Sequence, residues 1–230
     1  MHTVCTACHG SRIEKEYLGK NKGIPPDVHK QKYFKCTKCH HADEMHGDGN
    51  DYNNRYEVEN GPKCVDCHQE IYDEKSANSE QHETHRDRVS CNVCHSMPYK
   101  NCYACHVGKD EKGLTFFKNQ ASVIDFKIGL NPLQSKKRPE RFVTVRHIPV
   151  DPQTFGFYTV KGLTDFDNLP TWKMATPHNI QRKTPQNRSC NACHEKNDLF
   201  LLEQDVRPKY LAANSNVIVP QEMIPKKIEP

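Results

Sequence analysis

The sequence predicts a mostly irregular fold with short α-helices and minor β, whose interior is filled by more than side chains. Three observations point there. Of 230 residues, 35% are hydrophobic and 27% charged, with a mean hydropathy of −0.89. That is a thin apolar inventory for a core of this size. Prolines at 132, 139, 149, 152, 170 and 177 cut the middle of the chain into short runs. Finally, all twelve cysteines fall into CxxC pairs, each followed at once by histidine.

The six motifs are Cys5-Thr-Ala-Cys8-His9, Cys36-Thr-Lys-Cys39-His40, Cys64-Val-Asp-Cys67-His68, Cys91-Asn-Val-Cys94-His95, Cys102-Tyr-Ala-Cys105-His106 and Cys190-Asn-Ala-Cys193-His194. CxxCH is the c-type haem attachment signature. Two thiols three positions apart can each form a thioether to a porphyrin vinyl group, and the adjacent imidazole can reach the iron. Structural zinc and disulfides are the competing readings. Zinc ribbons have no need of a histidine after every pair, and a thioredoxin-like redox site would use one motif, not six. The expected cofactors are therefore six haem c groups, and the fold is expected to be haem-cored.

Other expectations follow from that reading. Covalent haem attachment takes place outside the cytoplasmic membrane, so the chain is expected to be periplasmic or extracellular. Residues 1–20 hold no basic segment followed by an apolar one, so the sequence reads as a mature form or a section of a longer protein. No run approaches the roughly 18 apolar residues that span a bilayer. Twelve propionates would take the formal charge of +4 to about −8 with all irons ferrous and about −2 with all ferric. Many of the 33 lysines and arginines are then expected to pair with propionates, and nucleic-acid binding is not indicated.

Successive first cysteines lie 31, 28, 27, 11 and 88 residues apart. This divides the chain into a five-haem segment (1–110), a haem-free wrapping lobe that supplies distal ligands (111–185), and the sixth haem with an extended tail (186–230), packed as one unit. Only six residues separate His95 from Cys102, which makes the fourth and fifth haems neighbours. The isolated sixth is suited to one end of the array. Short helices are expected around Cys64–Tyr72 and Asn78–Asp87. Strands are expected in Arg141–Arg146 and Phe155–Val160. The apolar stretch Asn216–Val219 either packs on its own chain or docks on a neighbour by strand addition.

Eight histidines remain outside the motifs: His2, His29, His41, His46, His82, His85, His147 and His178. They suffice for a second axial imidazole at all six irons. His29 and His85 precede the next motif by seven and six residues, His178 by twelve. His82 and His85 share a helix face and could reach two irons. His147 and His178 have no other evident reason in the haem-free lobe, and His46 sits in a Gly-flanked turn. The expected distal ligands are His29, His46, His82, His85, His147 and His178, with His2 and His41 in reserve. Met45, Met97 and Met174 lie near haem sites, but the histidine surplus makes them core or surface residues. The segment Asp48-Gly-Asn-Asp51 offers oxygens for calcium but lacks EF-hand spacing, and a polar turn is the favoured reading.

On these motifs the sequence resembles the multihaem c-type cytochromes of anaerobic respiration and extracellular electron transfer. The doubled histidine of Cys36-Thr-Lys-Cys39-His40-His41 is similar to that of class III tetrahaem cytochromes, where the second histidine serves another haem. The hexahaem content is similar to that of extracellular cytochrome filaments. The resemblance implies electron transfer with redox proteins or extracellular acceptors as partners, and assembly into a homopolymer or docking to other cytochromes. A monomeric periplasmic shuttle is the alternative. Multihaem reductases of the nitrite and tetrathionate type carry lysine at the catalytic haem motif, and no CxxCK occurs here. A reductase with one open iron is the remaining enzymatic reading.

Overall fold

Short helices follow one another through the first 95 residues of the computed structural model, which describes residues 2–58, 61–97, 104–120, 126–148 and 168–229. Helix α1 (His2–His9) runs through a π-turn (Gly10–Glu14) into α2 (Lys15–Tyr17). Next come α3 (Val28–Gln31), α4 (Ala42–His46), α5 (Ser79–His85) and α6 (Cys91–His95). Single 3-10 turns form at Cys36–Lys38, Cys64–Asp66 and Gln69–Tyr72. Apart from the continuous helical run 2–17, no helix here exceeds seven residues, well short of the roughly 12–15 at which an isolated helix becomes marginal in water. Packing must hold them, yet no hydrophobic residue before Val93 is buried among the described residues. The buried side chains of that stretch are Glu16 and Asp27.

The second half is built differently. Strands β1 (Ala104–Lys109) and β2 (Thr115–Gln120) form an antiparallel hairpin, with His106 opposite Lys118. A three-stranded antiparallel sheet follows, from β3 (Phe126–Leu130), β4 (Phe142–His147) and β5 (Trp172–Met174), in the order β3-β4-β5. The prediction of a strand over Arg141–Arg146 agrees with β4. Phe155–Val160 lies outside the described residues.

The core sits on this sheet. Val143, Val145, Trp172, Leu201, Val206, Tyr210 and Val217 form one cluster. Val93, Ile128, Phe200, Leu202 and Val219 form another, against which Cys193 packs. Asn214 is fully buried because its amide is used up: it accepts from the Trp172 N–H (2.8 Å) and donates to the Tyr210 carbonyl (2.7 Å).

The tail belongs to this core. Leu130 N–H donates to the Val217 carbonyl (3.0 Å), and Val219 N–H to the Leu201 carbonyl (2.8 Å). Gly129 permits the approach: a Cβ there would stand 2.8 Å from the Val145 methyls and 2.9 Å from the Val217 carbonyl. Of the two readings of Asn216–Val219, packing on its own chain is the one observed. The architecture is thus mixed, with short helices, a small antiparallel sheet and mostly irregular chain. No described helix is long and apolar enough to cross a membrane.

Candidate metal centres: paired histidines along one cleft

Three motifs fold into the same turn. In each, the histidine N–H donates to the carbonyl of the first cysteine at 3.0 Å, as His40 to Cys36, His68 to Cys64 and His194 to Cys190. The second cysteine bonds the same carbonyl at 3.1–3.2 Å. The first and fourth motifs lie in helices α1 and α6 instead. The fifth departs: Cys102 lies outside the described residues, and Cys105 and His106 follow strand β1 rather than a helical turn. No disulfide joins the ten cysteines whose side chains are described.

Five motifs line one connected cleft of about 3170 Å³, several times the ≈ 300–1,000 Å³ of a site for one small molecule. Their order along it can be read from the thiols. Cys5 hydrogen-bonds Cys36, and Cys39 interacts with Cys67. Cys64 hydrogen-bonds Cys91, which raises Cys64 and lowers Cys91 to about 7. Cys94 interacts with Cys193. The run is first, second, third, fourth, sixth.

The sixth motif, distant in sequence, stands at one end of this run beside the fourth, and the reason is packing. Residues 179–187 lie along α6, with Gln181 N–H on the His95 carbonyl (2.8 Å), Thr184 Oγ1 on the Cys94 carbonyl (2.5 Å) and Gln186 Nε2 on those of Val93 (3.0 Å) and Ser96 (2.6 Å). A C-terminal strap then closes over the sixth motif. The Lys226 carbonyl faces His194 Nδ1 at 2.8 Å, and the Asn191 amide pairs with the backbone of Ile228.

Four motif histidines each face one histidine from outside the motifs. His40 stands 6.2 Å from His178, His68 6.1 Å from His29, His95 6.2 Å from His82 and His194 6.4 Å from His85, between ring centroids. Two imidazole nitrogens each about 2 Å from one metal lie about 4 Å apart, and the ring centres about 1 Å further out on each side, roughly 6 Å in all. No described group of three or more His, Cys, Asp or Glu could hold a metal ion. An ion between two imidazoles would therefore take its other ligands from a bound group.

The remaining ring nitrogens fit the same role. A ligating histidine nearly always presents its other nitrogen to a carboxylate, carbonyl or water. Here Nδ1 of His40 faces Glu44 (2.9 Å), His29 faces Asp27 (3.0 Å), and His95, His85 and His178 face the carbonyls of Gln181 (3.1 Å), Gln81 (2.7 Å) and Thr176 (2.9 Å). His68 is 3.6 Å from Glu70, and Nδ1 of His82 is buried without a partner. Nε2 is thus the nitrogen left for the opposing ring. Desolvation, then Arg12 and His40, push His178 down to about 4. It is neutral at neutral pH, as a ligand must be.

His178 is held from behind. Its N–H donates to Glu16 Oε2 at 2.6 Å, and Asn179 donates to the Glu16 carbonyl at 2.8 Å. Burial raises the Glu16 carboxyl, with Arg12 and the His178 N–H pulling it back.

His29, His82, His85 and His178 therefore each meet a motif histidine, and α5 alone supplies two of them to different motifs. Tether length does not decide the pairing: His29, His85 and His178 each face the histidine of a motif other than the one they precede. His46 and the reserve His41 line the cleft with His9, but no ring contact among the described residues brings a second histidine to His9. His147 lies off the cleft, 5.3 Å from Trp172. The side chains of His2 and His106 are outside the described residues. The Nδ1 acceptors Asp27, Glu44, Gln181 and Lys226 escaped sequence reading, although Glu44 stands four residues after His40 and Asp27 two before His29. No protein-family model matches the chain, and no curated protein or solved structure matches it either.

Proposed function

We propose that the chain is an extracytoplasmic electron-transfer protein carrying six covalently bound haem c groups. The observation that carries the reading is the set of four histidine pairs, each uniting one CxxCH histidine with one from elsewhere at 6.1–6.4 Å. Haem supplies a one-electron ferric–ferrous couple, tuned by its axial ligands and their partners. The chain's own residues would anchor it through the paired thiols, saturate the iron with two imidazoles and leave no position for substrate at those four sites. Contact between successive motifs favours a conduit, with the sixth haem following the fourth in series.

The tail does not favour the filament reading, since Val217 and Val219 are core residues. What keeps assembly or catalysis in play is His9, whose second ligand would have to come from His2, His41, His46 or a neighbouring chain, or be left open as in a reductase. The test is intact mass under acid denaturation, together with carbon monoxide binding to the reduced protein. The expected result is a covalent increment of six haems on the 26.6 kDa polypeptide, with sites two, three, four and six inert to carbon monoxide. Four or fewer haems would refute the proposal.

A further inference from the structure

The four histidine pairs differ in what stands behind their rings. At the second, Glu44 Oε2 accepts from His40 at 2.9 Å. At the third, Asp27 Oδ1 accepts from His29 at 3.0 Å. The fourth has the Gln181 carbonyl (3.1 Å) and the Asn187 amide nitrogen (3.5 Å) at His95 Nδ1, neither of them a carboxylate, and no partner among the described residues at the buried Nδ1 of His82. The sixth has two carbonyls, of Lys226 and Gln81. Two neighbouring sites thus carry one hydrogen-bonded carboxylate each, with the exposed Glu70 standing further off at 3.6 Å from His68, and the next two along the cleft carry none at a ring nitrogen among the described residues.

Neither carboxylate is a loose surface group. Asp27 is 2% exposed. Its Oδ1 also accepts the His29 N–H at 2.7 Å, and its Oδ2 accepts the Ile180 N–H at 2.6 Å. It therefore clamps the segment carrying His29 to the one carrying His178. Glu44 sits on α4 one turn after His40, with a side chain 13% exposed. A charged acceptor makes a stronger hydrogen bond than a carbonyl. It draws the Nδ1 proton away from the ring and makes the imidazole a more basic ligand, which favours ferric over ferrous iron.

We propose that Asp27 and Glu44 are positioning residues that hold the third and second haems at lower potential than the fourth, building a step between the third and fourth sites of the run. The proposal rests on the haem reading above. Electrons delivered at the second or third site would then pass downhill to the fourth, and the sixth would lie on the carbonyl side of the step.

The experiment is a spectroelectrochemical titration of the full haem-loaded chain and of Asp27→Asn, Glu44→Gln and Glu70→Gln. Asp27→Asn and Glu44→Gln should each raise one midpoint potential, a different one in each variant. A tenfold change in ferric-over-ferrous preference, at the lower end of effects from a ligand's hydrogen-bond partner, corresponds to about 59 mV for one electron. The low-spin spectrum should persist. Glu70→Gln should move nothing comparable, because Glu70 lies 3.6 Å from His68. Asp27→Asn loses the Ile180 acceptor and could fail to fold, in which case Glu44→Gln decides alone. Unchanged potentials in Glu44→Gln, or an equal shift in Glu70→Gln, would overturn the proposal. A wild-type chain whose mass shows no haem would instead remove the reading beneath it.

Discussion

Residues 2–92 and the sheet region 126–229 solve the problem of folding in opposite ways. The sheet region buries Ile128, Val145, Trp172, Leu201 and Val219 and closes its polar backbone with Asn214 and the returning tail. Residues 2–92 bury no described hydrophobic residue, yet hold turn after turn in a defined order around an apolar-lined cleft. The difference teaches where each half gets its stability. One has a core of its own, and the other is arranged around the space that a cofactor array would occupy, so that binding and folding become one free energy.

The sharpest way to break that comparison is to withhold haem. Hydrogen exchange on the apo chain should show residues 2–92 exchanging near the unstructured limit while 126–148 and 199–219 stay protected. Equal protection in both halves would show that the first half needs no cofactor. A smaller and opposite effect is expected from Leu201→Ala, which removes a fully buried side chain from the sheet core. It should cost about 2–5 kcal/mol in denaturant titrations followed by sheet signal. The visible spectrum should hold until the sheet melts, with the fourth and sixth haems responding first, because Val93 and Cys193 pack in the adjoining cluster. A spectrum altered throughout under native conditions would mean that the two halves are not distinct.

Much of the candidate site was legible because covalent haem attachment, as proposed, would impose a local code. Spacing alone marks the thiols and the adjacent imidazole, and a shortage of other roles marks the spare histidines. Partnership is not local. His85 reaches His194 because residues 179–187 zip along α6 through Gln181, Thr184 and Gln186, contacts between polar residues with no sequence period to announce them. The same holds for Asn216–Val219, whose apolar run fits a core strand and a docking arm equally until Gly129 and Val145 are seen beneath it. The fold class was readable as short and irregular from proline and low hydropathy. Its one ordered sheet was glimpsed only at β4, where Phe142–Val145 is apolar enough to stand out.

Paired imidazoles are the central claim, and His178→Ala tests them most directly. The measurement is electron paramagnetic resonance of the oxidised, haem-loaded variant, followed by carbon monoxide titration after reduction. Among the described histidines His178 faces only His40, so the variant should gain one high-spin iron and one carbon monoxide site per chain over the wild type, with the haem count unchanged. A variant that keeps every haem, stays entirely low-spin and gains no carbon monoxide site would contradict the pairing.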